Sequence, residues 1–307
     1  VSSKTISAII PVFNSEGSLE LLTKRLCQVL ETHSENFEII FVNDGSQDAS
    51  WEIICRLIQA NDCARGINLM RNYGQHNALL AGIRMAKYEL IVTIDDDLQH
   101  PPEEIPKLLR KLDEGYDVVY GSTEEGKHSF LRNIASQMIK LAFQSIMKVK
   151  VARKISAFRA FRSSLRNAFE NYNATHPSVD VLLTWATVLF SHVEVTHNER
   201  KIGESNYSFW RLFGHAVNMM TGYSTSPLRF ASILGFTFML FGAFILITVL
   251  IRYLIYGSPV AGFPFLASTI AIFSGVQLFC IGIIGEYLAR MYTRMMDKPT
   301  YVIKEIR

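Results

Sequence analysis

Three consecutive carboxylates, Asp95, Asp96 and Asp97, follow the apolar run Leu90-Ile91-Val92-Thr93-Ile94. Adjacent carboxylates repel one another, and a hard divalent cation removes that repulsion. An all-oxygen donor set suits Mg²⁺ or Mn²⁺. Residues two apart in extended backbone face the same side, so Asp95 and Asp97 can share one ion while Asp96 turns away. The alternative is a cap for the helix that opens at Pro101-Pro102-Glu103-Glu104. Three other polar clusters follow apolar runs in the same manner: Pro11-Val12-Phe13-Asn14, Asn43-Asp44-Gly45-Ser46 and Arg71-Asn72-Tyr73-Gly74. In an open α/β sheet, ligands bind at the carboxyl ends of the strands. A cation at such an edge points to a nucleoside diphosphate. No G-x-G-x-x-G follows the first strand and no G-x-x-x-x-G-K-[ST] occurs, so neither a dinucleotide fingerprint nor a P-loop is present. The eight histidines are scattered, and none joins a Ser or Cys in a nucleophilic set.

Positioning these clusters requires strands that alternate with helices. Strands are predicted at Ile6–Phe13, Phe37–Val42, Ala64–Leu69, Leu90–Ile94 and Tyr116–Tyr120. Helices are predicted at Ser18–Leu30, Asp48–Ile58 with Asp48 as N-cap, Asn77–Ala86 and Pro102–Leu112. This alternation predicts a mostly parallel, doubly wound α/β sheet.

The following tract differs. Gly126–Phe169 carries ten Lys or Arg and no Asp or Glu. Its apolar residues recur at helical spacing, which predicts a basic amphipathic element at a membrane surface. Tyr207–Tyr223 predicts an interfacial helix with aromatics at headgroup level. Two uncharged runs follow, 22 residues from Phe230 to Ile251 and 33 from Tyr253 to Gly285, which predict spans at about 228–252 and 264–286. Arg290, Arg294, Lys298, Lys304 and Arg307 beyond them favour the cytoplasmic side for both termini, although Arg252 lies at the opposite end of the first span. The span centres hold no ionisable residue, which argues against a pump or channel.

The whole chain has 307 residues, 49% of them hydrophobic and 19% charged, which excludes a disordered chain. Its 31 basic residues nearly balance 28 acidic ones, which argues against a nucleic-acid-binding surface. Cys27, Cys55, Cys63 and Cys280 form no metal or redox spacing and are expected as free thiols. The start at Val1 shows no signal-peptide pattern and is expected to be a trimmed terminus.

Taken together, Pro11-Val12-Phe13-Asn14, Val42-Asn43-Asp44-Gly45-Ser46, Arg71-Asn72-Tyr73-Gly74-Gln75-His76 and Asp95-Asp96-Asp97-Leu98-Gln99-His100-Pro101-Pro102-Glu103 resemble the family 2 glycosyltransferases of GT-A fold. Two C-terminal spans narrow the resemblance to the polyprenyl-phosphate glycosyltransferases. That group includes dolichyl-phosphate mannose synthase and the undecaprenyl-phosphate 4-deoxy-4-formamido-L-arabinose transferases. The resemblance implies a cytoplasmic GT-A domain over 1–205, an interfacial helix over 206–227, a two-helix anchor over 228–290 and a cytoplasmic tail over 291–307. It implies a cell inner-membrane enzyme that moves a sugar, with inversion, from a nucleoside diphosphate, UDP above the others, to undecaprenyl phosphate. A homotetramer is a further implication.

Residue by residue, Pro11, Phe13, Asp44, Ser46 and Arg71 are implied at the nucleotide. Asp95, Asp97 and Gln99 are implied at Mg²⁺ or Mn²⁺ and the diphosphate. Arg200, in Arg200-Lys201-Ile202-Gly203-Glu204-Ser205, is implied at a phosphate. Lys127, Arg132 and Arg159 are assigned to the acceptor phosphate. The chain departs from the family pattern in having Asp96 where Ala is common, Asn206 where Lys follows the Ser, and Ala157 where several relatives carry Asp before Phe158-Arg159. No catalytic base is therefore expected at 157. Two other functions stay open: transfer to a glycan or glycolipid acceptor, and a non-catalytic nucleotide-sugar-binding partner of a membrane complex.

Overall fold

The computed structural model describes residues 4–122, 151, 154–174, 177–196, 198, 221–256 and 263–307. Contacts divide the chain into two units, Val1–Leu212 with Asp297–Arg307, and Phe213–Met296.

The first unit is built on an eight-stranded mixed sheet. In chain order its elements are β1 (Thr5–Val12), α1 (Leu19–His33), β2 (Asn36–Asn43), α2 (Ser50–Ala60), β3 (Ala64–Leu69), α3 (Gln75–Met85), β4 (Leu90–Thr93), α4 (Ile105–Asp113), β5 (Val118–Ser122), β6 (Arg159–Arg162), α5 (Val179–Ala186) and β7 (Phe190–Glu194). The chain returns after the second unit as β8 (Ile303–Ile306), and the strand order is β7-β5-β6-β4-β1-β2-β3-β8. Near-continuous apolar runs suit strands covered on both faces. Ile6, Ala8, Ile9, Ile10 and Val12 of β1 are fully buried. Helix α1 lays Leu19, Leu22, Leu26 and Leu30 into the same core, a one-face stripe at helical spacing. Each such leucine contributes about 1.5–3 kcal/mol by leaving water.

The parallel centre matches the sequence reading: β1 pairs in parallel with β2 and β4, and β2 with β3. Three differences have local causes. Helix α2 starts at Ser50 after Ala49, so Asp48 is not its N-cap. Glu16, from the β1–α1 loop, accepts a hydrogen bond from Ala49 N (3.0 Å), while Asp48 accepts from Glu16 N (3.1 Å) and Ser50 N (3.1 Å). The second difference lies in the basic tract. Its residues 126–150 are outside the described residues, but its C-terminal part is a core strand. β6 inserts antiparallel between β4 and β5, with Phe158, Ala160 and Phe161 fully buried. The tract's basic residues here bind protein groups. Arg162 faces Asp117 (3.5 Å) and Glu89 (3.7 Å), and Arg166 donates to the carbonyls of Ile83 and Ala86 at the end of α3. Third, the segment after the second apolar run pairs with β3 as β8, so it joins the sheet.

The second unit contains α6 (Ser226–Tyr256) and α7 (Phe263–Met295). Both are long and apolar enough to cross a membrane, over Ser226–Ile255 and Ile272–Met295. Thirty residues of α-helix reach about 45 Å against a hydrocarbon core of about 30 Å. Helix α6 exposes large apolar side chains, among them Phe236, Phe244 and Leu254. Tyr287 donates to the Ser224 carbonyl, and Arg290 pairs with Glu286 at 2.6 Å near the end of α7.

Candidate active site

The aspartates sit in the turn that leaves β4. All four β4 residues are buried, and Ile94 N donates to the Ile9 carbonyl at 3.2 Å, which holds the exit beside β1. The three carboxylates then part company. Asp95 accepts from Gln75 Nε2 at 2.6 Å. Asp96 accepts from Phe13 N (3.2 Å) and Ser15 Oγ (2.5 Å), so it is committed to the β1–α1 loop. Asp97 accepts from Gln99 N at 3.1 Å, an Asx-type turn that carries Leu98 at φ +60°. Asn198, two positions before Arg200, donates from its backbone to the Gln99 carbonyl at 2.9 Å.

This crowding has an electrostatic consequence. Burial, then the neighbouring Asp97 and Asp96 charges, push the Asp95 carboxyl up to about 7, against the opposing pull of Arg159 and Gln75. Burial likewise raises Asp96, while its Ser15 and Phe13 hydrogen bonds lower it. The turn is therefore short of positive charge, which is the condition a divalent ion satisfies. Among the described residues, no three His, Cys, Asp or Glu side chains close into a metal cage.

Beside the turn, at the ends of β1, β2 and β3, lies a cavity of about 480 Å³. Phe13, Ser46 and Arg71 line it together with Asn43, Trp51 and Asn68. Cross-strand bonds shape its floor: Asn43 Nδ2 donates to Asn68 Oδ1 at 2.9 Å, and Ser46 Oγ accepts from Asn14 N at 3.0 Å. Arg71 lies over the Tyr73 ring at 4.8 Å. Phe13 belongs to both regions, since it lines the cavity and its N–H bonds Asp96.

Two residues assigned to the nucleotide are buried and are not among those that line the cavity. Pro11 is buried inside β1 opposite Val42. Asp44 is 3% exposed and accepts from Tyr73 N (2.7 Å) and Gly74 N (2.8 Å). Burial raises its carboxyl and those two N–H groups oppose the shift. Asp44 thus fastens the loop that presents Arg71. Gly45, at φ +71°, permits this approach. A Cβ there would lie 2.5 Å from the Arg71 carbonyl carbon and 2.5 Å from Asn72 N.

Arg159, assigned to the acceptor phosphate, is 1% exposed and faces inward. Its Nε donates to Thr93 Oγ1 at 3.0 Å, its Nη1 pairs with Asp180, and Tyr120 OH donates to the same Asp180 oxygen at 3.0 Å. Thr93 Oγ1 in turn donates to the Ala157 carbonyl at 2.6 Å. This network lies against the root of the aspartate turn. Lys127, Arg132 and Arg200 lie outside the described residues. Gln75, Ser15, Asp180 and Tyr120 were not read as site residues from sequence. Gln75 is inside the Arg71–His76 motif, whereas the other three carry no local signal.

The sheet and its aspartate-bearing edge define a GT-A-like nucleotide-sugar-binding fold. Residues 7–172 match the family described as Glycosyl transferase family 2, and the chain belongs to that family of glycosyltransferases. Among solved structures, it is similar to glucosyl-3-phosphoglycerate synthase from Mycobacterium tuberculosis in complex with Mn²⁺, UDP and phosphoglyceric acid. That likeness has a TM-score of 0.52 at 19% identity, covering 71% of this chain and 76% of that one. The same enzyme with Mn²⁺, UDP and glucosyl-3-phosphoglycerate gives a TM-score of 0.51 at 18% identity, covering 71% and 78%.

Proposed function

We propose that this glycosyltransferase moves a sugar, with inversion, from a UDP-sugar to a polyprenyl phosphate, undecaprenyl phosphate in a bacterial membrane. The observation that carries the donor half is Phe13, which lines the cavity and donates its N–H to Asp96 in the aspartate turn, so that a base in the cavity and a diphosphate at the turn would lie on adjoining surfaces. Asp95, Asp97 and Gln99 would hold Mg²⁺ or Mn²⁺. Such an ion supplies charge neutralisation at the departing diphosphate. The glycosyltransferase neighbours with bound Mn²⁺ and UDP support the same donor chemistry.

The protein's own residues supply position. Gln75 orients Asp95, Asp96 ties the β1–α1 loop, and Asp44 holds the Arg71 loop. Arg200 and the cations Lys127 and Arg132 are proposed to receive phosphate groups. Asn198, two positions before Arg200 in sequence, donates to the Gln99 carbonyl, which supports the Arg200 assignment. The acceptor needs no strong base. The second pKa of a phosphate monoester is about 6, so its oxygen is already anionic at neutral pH. That oxygen forms the bond to the anomeric carbon as the bond to the nucleotide diphosphate breaks. Ala157 in place of a carboxylate is compatible with this route.

The acceptor half is supported by α6 and α7, which would tether the domain at the surface where a lipid phosphate resides. We further propose that the catalytic domain and both termini lie on the cytoplasmic side of the inner membrane and that the assembly is a homotetramer. The test is a panel of nucleotide sugars with Mn²⁺ or Mg²⁺, offered in parallel undecaprenyl phosphate and glycan or glycolipid acceptors. A lipid-linked sugar product supports the reading. Transfer only to a glycan or glycolipid, or donor binding without any transfer, overturns it.

A further inference from the structure

In the sequence, Lys304 is one of several cations beyond the second apolar run. In the fold it stands on β8, where the ladder to β3 is irregular: Asn68 pairs with Glu305 and Leu69 pairs with Ile303. Lys304 is therefore the extra residue of a β-bulge. A bulge leaves its extra residue out of the ladder and re-aims its side chain. The segment is pinned on both sides, by Met70 N to the Val302 carbonyl (2.9 Å) and by the mutual bonds of Gly66 and Arg307 (2.8 Å each). Thr300 is buried just upstream, and the Tyr301 hydroxyl accepts from Arg84 at 3.4 Å. Lys304 lines the cavity with Arg71, Asn68 and Trp51, and its side chain makes no hydrogen bond or ion pair among the described residues.

Its place along the sheet indicates which part of a ligand it meets. β8 is four strand spacings from β4, about 19 Å across the sheet. The cavity lining runs from Phe13 to Lys304 and includes none of Asp95, Asp96 or Asp97. A nucleoside diphosphate with its phosphates toward β4 therefore lays its base toward β2, β3 and β8. An ammonium carries three donors and no acceptor. It bonds the O4 carbonyl of uracil or the O6 carbonyl of guanine, whereas the amino group at the same ring position of cytosine or adenine is itself a donor and leaves an adjoining ring nitrogen as the acceptor there.

We propose that Lys304, re-aimed by the β3–β8 bulge, reads the base of the donor nucleotide and selects bases with a carbonyl at that edge. The proposal rests on the nucleotide-sugar reading above. It is tested by calorimetric titration of the full-length protein in detergent with UDP, GDP, CDP and ADP, each with Mn²⁺. Lys304→Ala is expected to weaken UDP or GDP about tenfold and to leave CDP and ADP within about twofold. Lys304→Arg, which keeps a donor, is expected to recover part of the loss. Equal weakening of all four nucleotides overturns base reading in favour of general attraction for phosphate. Unchanged UDP and GDP binding overturns it in favour of a charge that only guards the sheet edge. If the unsubstituted protein binds none of the four, the donor reading itself fails. If it binds UDP and the variant binds it equally, only the role of Lys304 fails.

Discussion

Arg159 pairs with Asp180 inside the first unit, the two side chains 1% and 5% exposed, and the Arg159 Nε reaches the Thr93 hydroxyl at the foot of the aspartate turn. The pair joins β6 to α5 and braces β4 where its chain turns out to the site. Its positive member also lowers the Asp95 carboxyl, so one buried charge serves both packing and the electrostatics of the turn.

Removing one partner of this pair leaves an uncompensated buried charge. Asp180→Ala is expected to cost about 3–5 kcal/mol, because Arg159 stays behind without its counter-ion. The double replacement Arg159→Met with Asp180→Ala is expected to cost less than the sum of the two single changes. Thermal unfolding of the four proteins checks this, and strict additivity would show that the pair is not coupled.

The three aspartates are expected to respond unequally. Asp97→Ala should abolish transfer while leaving the unfolding temperature nearly unchanged. Asp96→Ala should retain measurable turnover, because its bonds to Phe13 and Ser15 position a loop. Steady-state kinetics of both variants decide the matter: normal turnover by Asp97→Ala removes the metal assignment.

Gly45→Ala is expected to raise the donor KM more than it lowers kcat. Its φ of +71° and the 2.5 Å approach of Arg71 and Asn72 backbone leave no room for a methyl group without displacing the Arg71 loop. The cost is of order 1–3 kcal/mol, shared between strain and loop shift. A donor KM equal to that of the unsubstituted protein would show that this loop does not touch the nucleotide.

Cys27 carries a free thiol pushed up to about 12, first by burial and then by the neighbouring Cys63. The reactive species is the thiolate, so native Cys27 should alkylate far more slowly at pH 8 than in denaturant. The folded state holds this proton more tightly than the unfolded chain, whose thiol titrates near 8.5. The associated stability is whole below that value and is lost as pH rises toward 12. Mass spectrometry of labelled protein and alkaline unfolding curves measure the two effects. Equal labelling rates in the native and denatured protein would contradict the raised pKa of this half-buried thiol.

The parallel centre of the fold was legible because its signals are local. Apolar runs such as Ile6–Val12 can be covered on both faces only in a sheet, and Leu19, Leu22, Leu26 and Leu30 mark a helix by spacing alone. The aspartate turn was legible for the same reason, since three like charges after a buried strand are conspicuous in one dimension. β6 was not legible. Arg159 and Arg162 read as solvent- or lipid-facing cations until Asp180 and Asp117, distant in sequence, supply their counter-charges.

By itself, then, the sequence determined an α/β domain with a carboxylate-bearing strand end and two helices apolar enough for a bilayer, because burial and like-charge repulsion depend on neighbours along the chain. Only the tertiary structure decided that Asp44 fastens a loop, that Arg159 faces inward and that Lys304 reaches the cavity. A charged group's role follows from the partner it finds, and these partners come from strands and loops brought together by the sheet.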